Sequence, residues 1–298
     1  MRRLPFFLIL LLAHSVSSGA PVAQKTNILF VVGPSNHGPG THEVEAGTRL
    51  LKACLDTAIM PSSYRTEIST GWPSDRRTLA HARTIVFMGD GFPPYRFANA
   101  HEIFSQLELL VADGCSLVCI HYATSVNDSV EKPVPTPVKA SLFEWLGGFG
   151  HFLPGNAQPG TQARILPVNV TPTSTGHPVV RGVKPFSFRD EPYYPIVFDR
   201  ARTTGSVTFL ATAYLPPEAP KTEVVAWSVE RENGSRSVSV LFPHFYENWQ
   251  NDDLRKLVLN GILWSVGAEI PPAGIDSTLP SLETFEPKSV KPVVGVRK

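Results

Sequence analysis

The stretch Asn27-Ile28-Leu29-Phe30-Val31-Val32-Gly33 is apolar without interruption from Ile28 to Val32 and stops at a glycine. Continuous rather than alternating hydrophobicity fits a strand buried on both faces, as in a parallel sheet. Pro34 to His42 then forms a Gly/Pro-rich loop, and a helix is expected from Glu43 to Ala58. Leu50, Leu51, Cys54 and Leu55 give that helix its buried stripe, with Thr41 as its N-terminal cap. Downstream, Tyr64 to Ser69 alternates like a strand, while Thr84 to Met88 and Ser116 to Ile120 read as buried strands. Between the last two, Ala98 to Ala112 is helical, with Ile103, Phe104, Leu107, Leu110 and Val111 on its apolar side. Strand–helix–strand alternation of this kind predicts a doubly wound α/β fold.

The second half is less regular. Leu142 to Leu146 looks helical and stops at Gly147-Gly148. Strands are expected at Ala163 to Val170, Phe209 to Tyr214, Val224 to Val229 and Ser237 to Phe242, with an Asn233-Gly234 hairpin turn between the last two. A final helix covers Asp252 to Val266, and a proline-rich, aperiodic segment follows. At the other end, Arg2-Arg3, the apolar run Leu4 to Ala13 and the small residues up to Ala20 have the order of a secretory signal peptide. That run is shorter than the roughly 20 residues of a membrane span. The expected division is a signal segment over 1–23, one domain over 24–270 and an extended tail over 271–298, in an exported protein without a membrane span.

The chain has 298 residues, with 27 Lys+Arg against 26 Asp+Glu. Such a balance excludes a basic nucleic-acid surface as the bulk character of the protein. Three cysteines, Cys54, Cys115 and Cys119, exclude a disulfide-built scaffold. Gly38-Pro39-Gly40-Thr41-His42-Glu43 fails the dinucleotide fingerprint at its third glycine, and no P-loop or G-x-S-x-G elbow occurs, so no nucleotide cofactor is expected.

Open α/β sheets place their sites beyond the carboxyl ends of the strands. That rule selects His37 after the first strand, Asp90 after Met88, His121 after Ile120 and His244 after the late strand. His42 opens the first helix from the same loop as His37, but His42-Glu43-Val44-Glu45-Ala46 lacks the second histidine of H-E-x-x-H. Imidazoles titrate near neutrality and ligate metals, so the group suits proton transfer or a divalent cation such as Zn2+. Asp190-Glu191-Pro192-Tyr193-Tyr194 joins carboxylates, which accept hydroxyl bonds, to rings that stack on sugar faces. Phe242 to Trp249 sets aromatics around His244 and Asn248.

Several segments in order resemble the ThuA-like, or trehalose-utilisation, family. They are Ser35-Asn36-His37-Gly38-Pro39-Gly40-Thr41-His42-Glu43, Leu117 to Ala123, His177 to Gly182 with Asp190 to Tyr194, and His244 to Trp249 running into Asp253 to Trp264. The resemblance spans Asn27 to Ile270. It implies a fold similar to class I glutamine amidotransferases: a flavodoxin-like three-layer α/β sandwich, mostly parallel, with additional strands in the C-terminal half. In those relatives a nucleophilic cysteine occupies the turn where His121 stands here, and His244 matches their triad histidine. Cys119 lies two residues before that turn, so the arrangement offers His beside His rather than Cys beside a base. Glutaminase activity is not expected.

What the resemblance implies instead is carbohydrate catabolism, of oxidised (3-keto) disaccharides and glucosides in particular. The expectation is an enzyme acting on a sugar or keto-sugar by isomerisation or cleavage next to a carbonyl. His121, His244 and Glu191 are the expected catalytic residues. Asp90, Asp190, Tyr193, Tyr122, Asn248 and Trp249 are expected to contact the sugar, and His37, His121 and His244 to ligate a metal. The alternatives are a non-catalytic carbohydrate-binding module and a cysteine hydrolase using Cys119. A homo-oligomer stays open.

Overall fold

A computed structural model describes residues 26–58 and 64–293; the expected signal segment lies outside them. The first half runs β1 (Thr26–Val32), α1 (Val44–Thr57), β2 (Tyr64–Thr70), α2 (Arg76–Ala80), β3 (Ala82–Met88), α3 (Pro93–Arg96), α4 (Ala100–Ala112) and β4 (Ser116–Ile120). Next come β5 (Ser125–Asn127), α5 (Thr136–Leu146), β6 (Gly148–Phe152), β7 (Gln162–Ala163), β8 (Leu166–Pro172) and β9 (Phe186–Asp190). The remainder is β10 (Tyr193–Tyr194), β11 (Val197–Phe198), β12 (Ser206–Leu215), β13 (Lys221–Glu230), β14 (Arg236–Val240) and α6 (Asp252–Ser265).

The nine-stranded sheet has the order β2-β1-β3-β4-β14-β13-β12-β8-β9. Its first five strands are parallel and follow the flavodoxin order. The remaining four join antiparallel. Alternate residues of the parallel strands feed two cores. Ile28, Phe30, Val86 and Val118 meet α1 and α6 on one face; Leu29, Val31, Ile85 and Leu117 meet α4 and α5 on the other. Burying one such aliphatic side chain contributes about 1.5–3 kcal/mol. This is the mostly parallel, three-layer sandwich expected from the sequence, with its extra strands in the C-terminal half.

Details differ. Thr41 does not cap α1: its hydroxyl donates to Gly38 O at 2.6 Å and Glu43 takes the cap position without a side-chain bond. The strand expected at Ala163 to Val170 is two pieces, β7 and β8. The segment after Gly147 forms β6 in a small sheet β11-β6-β5, and β7 pairs with β10, a strand the sequence pattern does not reveal. Among the described residues no helix is long and apolar enough to cross a membrane.

Two features position the site. β1 and β3 end so close together that a Cβ on Gly89 would stand 3.0 Å from the Gly33 Cα. The hairpin β8–β9 pairs with β12 through only two residue pairs, then returns across the sheet until Phe188 meets Phe242, ring centroids 4.9 Å apart. The end of β9 therefore lies beside the end of β14.

Candidate functional site

Four consecutive parallel strands deliver five polar side chains to one edge. β1 leads to His37 and His42, β3 to Asp90, β4 to His121 and β14 to His244. The Asp90 carboxylate is the floor: Oδ1 accepts from His42 Nδ1 at 2.5 Å and Oδ2 from His37 Nδ1 at 2.8 Å. Burial pushes the Asp90 carboxyl up, but the bonds from His37 and His42 and their charge hold it far below the usual carboxylate range. An ionised carboxylate only accepts, so both Nδ1 atoms carry hydrogen.

His121 is fixed in the same sense, since its Nδ1 donates to the Leu241 carbonyl at 2.8 Å. Burial lowers His42 to about 4 and drives His121 well below the ordinary imidazole value, with repulsion from His42 and His244 adding to it. Both rings are therefore neutral near pH 7, and each presents a bare Nε2. Those two Nε2 atoms face one another at 2.7 Å. Lone pairs so placed repel unless a positive centre lies between them. His244 Nδ1 stands 2.8 Å from His42 Nε2 and 3.2 Å from Glu191 Oε2, and the Tyr193 hydroxyl donates to His121 Nε2 at 3.1 Å.

The backbone is strained to achieve this. His42 and His121 have φ of 42° and 52°, in the left-handed region. For a non-glycine residue that costs about 1–3 kcal/mol, and such strain concentrates at functional sites. His121 thus sits in a sharp strand-to-helix turn, leading into a 3-10 segment at His121–Thr124.

One ligand atom each from His42, His121, Glu191 and His244 lies within 4.8 Å of all the others. Three imidazoles, two of them with their outer nitrogens pinned by acceptors, and one carboxylate form a donor set that fits Zn2+ or a similar cation. Burial opposes ionisation of Glu191, yet the hydrogen bond and charge of His244 hold its pKa down. A void of about 20 Å3 touches His42, His121 and His244, room for one water-sized particle.

A larger cleft of about 630 Å3 opens above, lined by His37, Tyr122, Asp128, Phe152, Glu191 and Tyr193 among others. The Tyr122, Phe152 and Tyr193 rings form one wall, Phe152 standing edge-on to Tyr193 at 5.0 Å. Among the described residues, no Lys or Arg lines this cleft. His37 stacks on His42 at 3.5 Å and keeps 33% of its side chain exposed at the cleft.

The structure brings His121, His244 and Glu191 into contact and puts His37 one layer away, behind His42. Of the six residues expected to touch substrate, Tyr122 and Tyr193 line the large cleft. Asp90 lies under the imidazoles. Asp190 is fully buried and accepts from His244 N, Glu191 N and the Asn248 amide, so it fixes the backbone of two site residues. Burial pushes it up to about 6. Trp249 is buried beneath the smaller void. Cys119 is wholly buried in β4, and burial raises its thiol pKa, which leaves no thiolate near neutrality. His42 received no role from sequence; its only signal was a second imidazole in the loop after β1.

In this flavodoxin-like sandwich a histidine stands at the strained turn after a central strand and faces two further imidazoles. The family model described as "ThuA: Trehalose utilisation" matches residues 30–265, and the chain belongs to that family. A putative ThuA-like protein from Parabacteroides merdae shares the fold at 16% identity and TM-score 0.59, over 86% of this chain and 98% of that one. A second, from Bacteroides uniformis, does so at 17% and 0.58, over 85% and 96%. A carbohydrate deacetylase, Agd3, aligns more loosely, at 13% identity and TM-score 0.47 over 82% of this chain and 32% of that one. No curated protein shows significant similarity to the chain.

Proposed function

We propose that this protein is an exported enzyme that acts on an uncharged sugar or keto-sugar, isomerising or cleaving it next to a carbonyl, at a metal site built by His42, His121, His244 and Glu191. The observation that carries the reading is the facing pair of bare Nε2 atoms, 2.7 Å apart on strained backbone. The family description, trehalose utilisation, supports a carbohydrate-related role. The pattern from Arg2 to Ala20 supports export.

Bound there, such a cation supplies Lewis acidity toward a substrate oxygen. The remaining work falls to the chain. Tyr122, Phe152 and Tyr193 offer rings to the apolar faces of a sugar. His37 donates from Nδ1 to Asp90, which leaves Nε2 as the atom to accept a proton from the carbon beside the carbonyl. Glu131 and Glu191 line the cleft, as does Asp128, which is paired with Lys139 and His151 behind the wall; a lining with carboxylates and no Lys or Arg disfavours phosphorylated and acidic sugars. The test is metal content of the purified protein, then turnover of 3-keto-glucosides with and without a chelator. Stoichiometric metal and chelator-sensitive turnover are expected. Protein that binds sugar but holds no metal and turns nothing over would be a binding module and would sink the enzyme reading.

A further inference from the structure

The proline-rich segment after α6 lacks regular strands or long helices, yet it is not loose. Leu282 and Phe285, in a short 3-10 turn, are buried in the core beside α1, and Arg49 donates to the Phe285 carbonyl through Nε and Nη2. From there the chain turns toward the loop that carries His37 and His42. One carboxylate ties the two together. Glu43 Oε1 accepts from Gly40 N at 2.8 Å and from Ser289 N at 3.2 Å, and Oε2 accepts from Lys288 N at 3.0 Å. Further along, Val293 N donates to Pro39 O at 3.1 Å.

The contact is closely fitted. Gly40 has φ of 80°, and a Cβ there would collide with the Lys291 carbonyl. On its other side the same loop is bonded to the segment after β14: His42 N donates to His244 O at 2.9 Å, Tyr246 N to Gly40 O at 3.0 Å, and Thr41 bridges Phe245. The histidine loop is thus held between two strips of backbone, one of them the C-terminal tail. Left-handed backbone at His42 persists only where its surroundings over-determine it.

We infer that residues 286–293 are a strap, fastened by the positioning residue Glu43, that holds His42 in its donor geometry; the inference rests on the proposed metal site. Three proteins test it: a variant ending at Glu286, the full chain with Glu43→Ala, and a control ending at Val293. Two readouts are needed, amide hydrogen exchange of the 33–43 loop and Co2+ titration followed by the visible spectrum. The first two proteins are expected to lose protection at the His42 amide and to bind Co2+ about 10- to 100-fold more weakly, the range typical of groups that support metal ligands, with a changed spectrum. The control should match the wild type. Unchanged protection in both variants overturns the strap. Freed amides with Co2+ affinity and spectrum intact overturn its positioning role. Should the variant ending at Glu286 fail to fold, Glu43→Ala decides alone. A wild type that takes up no Co2+ refutes the metal reading, and the exchange data then judge the strap by themselves.

Discussion

The two halves of the large sheet contribute different chemistry by different means. The parallel half, β2-β1-β3-β4-β14, supplies every imidazole of the cluster and its Asp90 floor from turns that follow rigid, doubly buried strands. The antiparallel half supplies Asp190 and Glu191 from the end of β9, with Tyr193 following at once in β10, on a hairpin joined to the sheet by two residue pairs. Parallel topology brings successive strand ends to one edge automatically, because every crossover returns the chain to the same side. Antiparallel strands alternate direction, so here a carboxylate reaches that edge only because a whole hairpin is laid across it. The lesson is a division between a fixed donor base and an added wall.

The sharpest way to break this contrast is to remove a donor from the fixed half. His42→Ala or His121→Ala is expected to abolish high-affinity Zn2+ binding in calorimetry, exceeding the 10- to 100-fold loss typical of supporting groups. His37→Ala should leave metal content intact and lower turnover by about 10^2–10^4-fold, the usual contribution of a positioned base; an equal loss of metal would make His37 a ligand instead. From the added wall, Glu191→Gln is expected to weaken Zn2+ binding by less than either histidine change, since three imidazoles remain. Asp190→Ala leaves the amides of His244 and Glu191 without their acceptor, and about 1–3 kcal/mol of stability should be lost in urea unfolding. The smallest effect belongs to the thiols of the fixed half. Cys115 is pushed up to about 12 by burial, and with Cys54 and Cys119 also buried, iodoacetamide at neutral pH should label none of them before unfolding.

The same contrast explains what the sequence made legible. The apolar runs of β1, β3 and β4 mark strand ends by rule, so His121, directly after Ile120, and Asp90, two residues past Met88, could be named directly. The antiparallel pieces gave less. β10 and β11 are two residues each, too short for any period, and β6 begins at the Gly147-Gly148 pair that reads as a helix stop. His42 was visible but could not be ranked above His37. Its importance depends on a left-handed turn at a non-glycine residue and on a partner 202 positions away, neither of which local pattern encodes. Asp190 and Trp249 were identified as polar and aromatic neighbours of the site, but sequence does not say which way a side chain faces. For the tail, what pattern could not supply is that the amides of Lys288 and Ser289 meet the Glu43 carboxylate.

The separation between His42 and His244 has a consequence for biosynthesis. A ribosome adds the first of these residues 202 positions before the second, so a nascent fragment that stops short of His244 lacks the whole constellation. Any site that draws on both residues therefore waits for nearly the entire polypeptide to be made.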